Sequence, residues 1–141
     1  MLRVVIDTNV LVSALLKPDS LPELILSLIL EGEMVLCLSE PIVTEYEEVL
    51  RREKFRKLDR RKVKTLLARL KSKAQWVEPG ARLHVTRVDP EDNKFLECAQ
   101  EAGADFFVTG NIKHFPSGKF KGTIILNPVK FLSVMAKMLN S

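Results

Sequence analysis

The chain has 141 residues, the size of one ordinary domain with a buried core, and we expect a single domain over residues 1–141. Its 46% hydrophobic and 28% charged residues, with few Gly or Pro, exclude a disordered or collagen-like chain. The longest apolar run, Leu24 to Leu30, is far shorter than the ~20 residues of a membrane helix, and the N-terminus lacks a signal-peptide pattern, so we expect a cytoplasmic protein without membrane contact.

The charge of the chain is unevenly distributed. The formal net charge is +4, but the segment from Arg51 to Lys73 holds twelve Lys or Arg and two acids, so this segment carries +10 and the rest of the chain −6. A basic segment on an acidic body is typical of a protein that binds a polyanion. A solvated basic helix face is the alternative that the segment alone leaves open.

Four short apolar segments have the character of strands buried on both faces of a parallel sheet. They are RVVI at 3–6, MVLCL at 34–38, DFFVT at 105–109 and GTIIL at 122–126. Helical patterns lie between and after them: LPELILSLILEG at 21–32, SEPIVTEYEEVLRREKF at 39–55, a basic helical pair up to residue 73, DPEDNKFLECAQEAG at 89–103 and NPVKFLSVMAKML at 127–139. A weaker strand belongs near Trp76 to Val77 or Arg82 to Val85. The alternation predicts an α/β fold with helices covering a mainly parallel sheet.

Asp7 directly follows the first predicted strand. Ligands of such sheets bind beyond the carboxyl ends of the strands, so an acid at this position is a candidate functional residue. Its structural alternative is a cap for the helix that begins near Thr8. Asp105 begins its strand instead, and we expect it at the opposite edge of the sheet.

Helix geometry directs two further acids inward, because each residue turns about 100° around the axis. Glu45 lies one turn after Ile42 and one turn before Val49, at the edge of an apolar stripe. Asp92 lies three residues before Phe95, which places it in the middle of the predicted buried face. A half-exposed edge position for Glu45 and a role in the helix dipole for Asp92 are the alternatives.

Together, Asp7, Glu45 and Asp92 form the predicted catalytic and metal-binding set. They come from three separate elements, yet each is placed near the carboxyl edge of the sheet or on the inner face of a helix. Two carboxylates ~4 Å apart repel each other by ~4 kcal/mol at an effective dielectric near 20, so such a cluster needs a cation or a proton. Carboxylate oxygens without a His or Cys cluster favour Mg²⁺ or Mn²⁺ over zinc.

The segment VTGNIKHF supplies polar groups at the end of the third strong strand. Thr109 and Asn111 offer neutral oxygens, and Gly110 allows close approach of the backbone. Lys113 and His114 are candidates for phosphate contacts. An ordinary turn is the alternative for this segment.

Three stretches resemble the PIN-domain nucleases, particularly the VapC-like toxin components of bacterial and archaeal toxin–antitoxin pairs. They are VIDTNVLVSALL, SEPIVTEYEEVLRR and DPEDNKFLECAQEAGADFFVTGN, and their order and spacing extend the resemblance over nearly the whole chain. It implies a three-layer α/β/α domain that binds Mg²⁺ or Mn²⁺ and cleaves RNA.

The resemblance also implies roles for individual residues. Asp7, Glu45 and Asp92 match the acidic positions of the family, with Thr8 and Thr109 as supporting polar residues; Asn9 holds the first turn. Arg51 and Arg52, at the start of the basic segment, are candidates for RNA phosphate contacts. An antitoxin that blocks the acidic pocket is the expected protein partner, and self-association is left open.

Asn111 departs from the family pattern, because many members carry an Asp directly after TG. One negative charge is therefore missing, which puts a second metal in doubt. The main alternative function is a PIN-like module that binds RNA or a protein without cutting.

Two other enzyme classes fit less well. A phosphotransferase of the haloacid-dehalogenase type would need a second Asp two residues after Asp7, where this chain has Asn9. A dinucleotide-binding domain would need a Gly-rich loop after the first strand, and DTNVLVSA contains no Gly.

Overall fold

The computed structural model describes residues 1–80, 90–116 and 118–140. Within these residues a six-stranded sheet has the order β3-β2-β1-β4-β6-β5. The strands are β1 (Arg3–Ile6), β2 (Val35–Leu38), β3 (Gln75–Trp76), β4 (Phe106–Val108), β5 (Lys119–Phe120) and β6 (Thr123–Leu126). Every neighbouring pair is parallel except β5 and β6, which are antiparallel. The predicted α/β fold with a mainly parallel sheet is confirmed.

Helices flank this sheet in the predicted α/β/α arrangement. In the described part of the chain they are α1 (Thr8–Leu16), α2 (Leu21–Leu30), α3 (Glu40–Leu50), α4 (Arg60–Lys73), α5 (Asn93–Ala102) and α6 (Pro128–Leu139). Helix α5 packs across β1, β2 and β4, whereas α4 packs on β2 and α2, and α6 contacts β6 and α2. None of these helices has the length and apolar character that a membrane span requires.

The core supports the carboxyl end of the sheet. The ring of Phe107, in β4, stacks on Phe95 of α5 with centroids 5.5 Å apart. It also meets the ring of Phe115 edge-on at 4.8 Å. All three side chains are buried, and burying each one stabilises the fold by roughly 1.5–3 kcal/mol. Because Phe115 ends the loop that follows β4, this packing also holds that loop against the sheet.

Two predicted helical segments differ in their bounds from the structure. The helix predicted through Phe55 ends at Leu50, and a short 3-10 turn at Glu53–Phe55 follows it. The break lets Phe55 turn into the core, and the guanidinium of Arg60 donates a hydrogen bond to the freed Leu50 carbonyl. The predicted basic helical pair is the single helix α4, preceded by this turn.

The remaining predicted elements lie close to their expected places. The weaker strand is β3, which contains Trp76. Its alternative at Arg82 to Val85 lies outside the described residues. The first residue of DPEDNKFLECAQEAG also lies outside them. The two-residue strand β5 was not predicted, because it is too short to show a pattern of its own. The carboxylate of Asp105 accepts a hydrogen bond from the Arg3 backbone N–H at 2.9 Å, which places it at the amino edge of the sheet as expected.

Tyr46 fixes α3 against the end of β1. Its buried hydroxyl donates a hydrogen bond to the carbonyl oxygen of Ile6 at 2.5 Å. Burial raises the pKa of Tyr46 well above its ordinary value, so the hydroxyl keeps its proton. Because Ile6 precedes Asp7 and Tyr46 follows Glu45, this bond brings the two acids to the same end of the sheet.

Replacing Tyr46 by Phe should lower the free energy of unfolding by about 1–3 kcal/mol, because the Ile6 carbonyl loses a buried hydrogen-bond donor. Urea denaturation followed by far-ultraviolet circular dichroism measures this difference. Thr44→Val, which removes an exposed hydroxyl from the same helix, should change the stability by less than about 0.5 kcal/mol. Equal stability of Tyr46→Phe and wild type would show that this hydrogen bond does not hold α3 in place.

Candidate functional site

Asp7 lies at the centre of the candidate site, where β1 ends and α1 begins. Its backbone N–H continues the sheet by donating to the Val108 carbonyl at 2.9 Å. Only 6% of the residue is exposed. Although it occupies the N-cap position of α1, its carboxylate makes no cap hydrogen bond. The carboxylate instead accepts a hydrogen bond from the Thr109 hydroxyl at 2.6 Å, so the helix-cap alternative does not explain why an acid stands here.

Asn9 and Thr109 lie beside Asp7 and hold its carboxylate in place. The amide group of Asn9 donates to Asp7 Oδ2 at 3.4 Å, and its oxygen accepts a hydrogen bond from the Gly110 backbone N–H at 3.1 Å. The Asn111 backbone N–H donates to the Thr109 hydroxyl at 3.0 Å. These bonds join the first turn of α1 to the loop after β4, and they leave Asp7 with neutral donors.

Glu45 has a different kind of partner. Its Oε2 accepts a hydrogen bond from the Thr8 hydroxyl, and its Oε1 lies 2.8 Å from the ammonium nitrogen of Lys94. Helix α3 therefore places this acid at the edge of its buried face, as predicted, with a cation from α5 beside it.

Asp92 is not in the middle of a buried face, contrary to the prediction. Residues Pro90–Asp92 form a 3-10 turn and α5 begins only at Asn93, so Asp92 stands at the N-cap position and Asn93 is the buried residue. The tighter turn changes the angular position that an α-helix would have given. The Asp92 carboxylate lies 3.6 Å from Nδ1 of His114.

The three acids influence one another electrostatically. The pKa of Asp7 is raised from an ordinary value of 3.8 to about 6. Burial is the largest cause and the negative charges of Asp92 and Glu45 act in the same direction, whereas the hydrogen bond from Thr109 acts against them. The structure thus brings the charges of Glu45 and Asp92 within reach of Asp7.

A cleft of about 400 Å³ opens above Asp7. Its polar lining residues are Asp7, Thr8, Asn9, Ser13, Glu45, Arg52, Lys54 and Asn111. Of the predicted phosphate contacts, Arg52 lines this cleft and His114 stands beside Asp92. Arg51 and Lys113 are exposed and do not belong to the lining.

The oxygen atoms of the site are chemically suited to a hard divalent cation, but the acids are not grouped closely enough to bind one in this structure. Carboxylates of Asp7, Glu45 and Asp92 and neutral oxygens of the surrounding side chains are the ligands that Mg²⁺ or Mn²⁺ prefers. Among the described residues, however, no three His, Cys, Asp or Glu side chains are grouped closely enough to hold a metal ion. In this arrangement each acid is turned toward its own partner.

Two basic residues of the site were missed from the sequence. Lys94 lies in the segment DNKF, but a lysine two residues after an acid on a helix carries no distinguishing signal. Lys54 reaches the cleft only because α3 ends early and the chain turns back at Glu53–Phe55. That turn could have been suspected from the apolar Phe55 among charged neighbours.

Comparison with known proteins gives consistent results. A family model described as PIN domain matches residues 3–113. The uncharacterised protein MJ1680 of Methanocaldococcus jannaschii is 35% identical over 112 residues, which cover 78% of this chain and 71% of that protein. A chain in the crystal structure of VapBC2 from Rickettsia felis bound to a promoter DNA fragment has a TM-score of 0.58 at 17% identity, covering 89% of this chain and 98% of the other, and so shares its fold.

The raised pKa of Asp7 predicts a pH-dependent effect of Asp7→Asn. The folded protein binds the Asp7 proton more tightly than the unfolded chain, so wild type loses stability as the pH rises from about 3.8 to about 6. In EDTA, Asp7→Asn should therefore be more stable than wild type by about 1–3 kcal/mol near neutral pH, and the difference should shrink toward pH 4.

Urea denaturation at several pH values measures this difference, with the exposed Glu48→Gln on α3 as the control that removes a charge elsewhere. A variant Asp7→Asn that is less stable than wild type near neutral pH would mean that the fold favours the charged form of Asp7.

Proposed function

Since the chain belongs to the PIN-domain family, we propose that it is a metal-dependent ribonuclease that hydrolyses phosphodiester bonds of RNA. We further propose that it is the toxin component of a toxin–antitoxin pair acting in the cytoplasm. The observation that carries this proposal is the environment of Asp7. A buried carboxylate whose pKa is raised by burial and by two further acids lies at the floor of an open cleft, which is an arrangement that a bound cation would stabilise.

In this proposal Asp7, Glu45 and Asp92 hold Mg²⁺ or Mn²⁺. The cation, when bound, supplies an activated water and stabilises the negative charge that develops on the phosphate and on the leaving oxygen. The residues of the chain orient the site. Thr109 and Asn9 hold the Asp7 carboxylate, and Thr8 holds that of Glu45. One of the three carboxylates accepts the proton of the attacking water.

The basic residues beside the acids would bind the RNA backbone. Arg52 and Lys54 line the same cleft as Asp7, so an RNA phosphate held between them would lie near the acidic end. Helix α4 carries further positive charge, with its Lys and Arg side chains mostly exposed around the buried Val63, Leu67 and Leu70. Contacts of this kind bind phosphates without reading bases.

An antitoxin is the proposed protein partner. The VapBC2 chain that shares this fold was crystallised in a complex with its partner and DNA, and the open cleft above Asp7 is a surface that such a partner could cover to block RNA. Asn111 lines this cleft and supplies no charge. A module that binds RNA without cutting is therefore the second candidate, and cleavage assays distinguish the two.

Cleavage should require both the cation and Asp7. With total RNA and Mn²⁺, wild type should generate new RNA ends, and Asp7→Asn should reduce the rate by roughly 10²-fold or more, because an electrostatic group at the reacting centre is lost. Sequencing of the RNA ends measures the rate at every position of the RNA pool, so no single target has to be chosen. Glu48→Gln should cleave like wild type. A protein that binds RNA but generates no ends with any divalent cation would be the non-cutting module.

Phosphate contacts by Arg52 predict a weaker dependence of RNA binding on salt in Arg52→Gln. In EDTA, a plot of the logarithm of the RNA association constant against the logarithm of the salt concentration should become less steep by about 0.7–1 for single-stranded RNA, because one fewer counterion is released. Fluorescence anisotropy of a labelled RNA measures the slope. Lys130→Gln, on the exposed face of α6, should leave it unchanged; an equal decrease in both variants would show that Arg52 contributes only general charge.

A further inference from the structure

We propose that Lys94 is a built-in cation of the candidate site, whose ammonium group competes with a divalent cation for the Glu45 carboxylate and thereby limits the metal affinity of the protein. This inference rests on the proposed function, because it concerns the cation held by the same acids. It assigns to Lys94 a role as a competing charge that the family membership does not supply.

The ion pair between Lys94 and Glu45 is shielded from water. The two side chains are 16% and 21% exposed, and Nζ lies 2.8 Å from Oε1. Exposed ion pairs contribute little, because water screens them and both side chains lose freedom. The attraction between the charges of a shielded pair is stronger, because less water screens it. A divalent cation that takes Oε1 of Glu45 as a ligand must therefore displace the ammonium group of Lys94.

Glu45 does not depend on Lys94 for its orientation. Its other oxygen, Oε2, accepts the hydrogen bond from Thr8, and the neighbouring Tyr46 fixes the backbone of α3 to β1. Removal of the lysine charge should therefore leave the carboxylate directed toward the Asp7 cleft. The two possible roles of Lys94 therefore predict opposite results. If Lys94 competes with the metal, its loss should strengthen metal binding; if it supports Glu45, its loss should weaken metal binding.

The lysine reaches Glu45 from a second cleft, which shares Glu45, Val49 and Arg52 with the cleft above Asp7. The charged residues that line this second cleft of about 520 Å³ are the acids Glu40, Glu45, Glu48 and Glu91 and the cations Lys94 and Arg52. Nζ of Lys94 lies 3.8 Å from Oε2 of Glu91. An ammonium group released from Glu45 can therefore turn toward Glu91, whose exposed carboxylate also lines this cleft.

Electrostatics determines the direction of the effect. An ammonium group and a divalent cation near the same carboxylate repel each other, and the interaction is strong where the surroundings exclude water. The charge of Lys94 thus lowers the affinity for the divalent cation even after it has turned toward Glu91. Replacing it by an uncharged side chain of similar length should increase the affinity.

Titration calorimetry of the metal-free protein with Mn²⁺ tests the proposal independently of RNA cleavage. Lys94→Met should bind Mn²⁺ about tenfold or more tightly than wild type, whereas Lys94→Arg, which keeps the charge, should stay within about threefold. Lys130→Met is the matched control, since it removes the same charge from an exposed position on α6, and it should also stay within about threefold. Lys94→Gln serves in place of Lys94→Met if circular dichroism shows that the latter is unfolded.

A double-mutant cycle with Glu45→Gln tests whether the competition is for this carboxylate. In the Glu45→Gln background, Lys94→Met should change the Mn²⁺ affinity much less than in wild type. Equal tightening in both backgrounds would overturn the proposal, because Lys94 would then act only as a background charge. Unchanged or weaker binding by Lys94→Met, with a wild type that binds Mn²⁺, would overturn this inference alone; absence of Mn²⁺ binding in every variant would overturn the metal-dependent function as well.

Discussion

The burial of the Asp7 carboxylate at the carboxyl end of β1 is the constraint on which the rest of the site depends. Asp7 is buried, and the charges of Asp92 and Glu45 act on it as well. A fold can tolerate such a group only if hydrogen bonds, a proton or a cation compensate its charge. Thr109 and Asn9 supply the hydrogen bonds, and both are tied into the loop after β4. The polar network is therefore organised around one unfavourable charge.

The apolar core makes this concentration of charge tolerable at that particular edge. Phe107 packs between Phe95 and Phe115 directly behind the polar end of β4, so the strand and the loop after it are held by contacts that do not involve the acids. Tyr46 does the same for α3 through its bond to the Ile6 carbonyl. The apolar packing is thus separate from the acids, and a substitution of an acid can alter the site without removing the packing that positions it.

The sequence predicted most of the fold because each central element has a strong local signal. β1 and β4 are continuous apolar runs followed by polar residues, and parallel pairing then brings Asp7 and Thr109 together. The sequence patterns did not predict those features of the structure that depend on tertiary contacts. The end of α3 at Leu50 reflects the burial of Phe55, and the position of Asp92 reflects a 3-10 turn that periodicity treats as α-helix. Lys94 and Glu45 are 49 positions apart and lie on two different helices, so their pairing has no local signature in the sequence.

The negative charges of Asp7 and Glu45 are compensated in two different ways. Asp7 is surrounded by neutral donors, which fix its oxygens but leave its charge in place, so it remains the position where an added positive charge is most favourable. Glu45 is already paired with an ammonium group, so an added cation gains less there. In a site built this way, Asp7 determines where a cation would lie, and Glu45 with its lysine determines how tightly it would be held. Lys94 lies in the first turn of α5 and Asp92 is the N-cap residue of the same helix, so the segment that completes the acidic set also limits its charge.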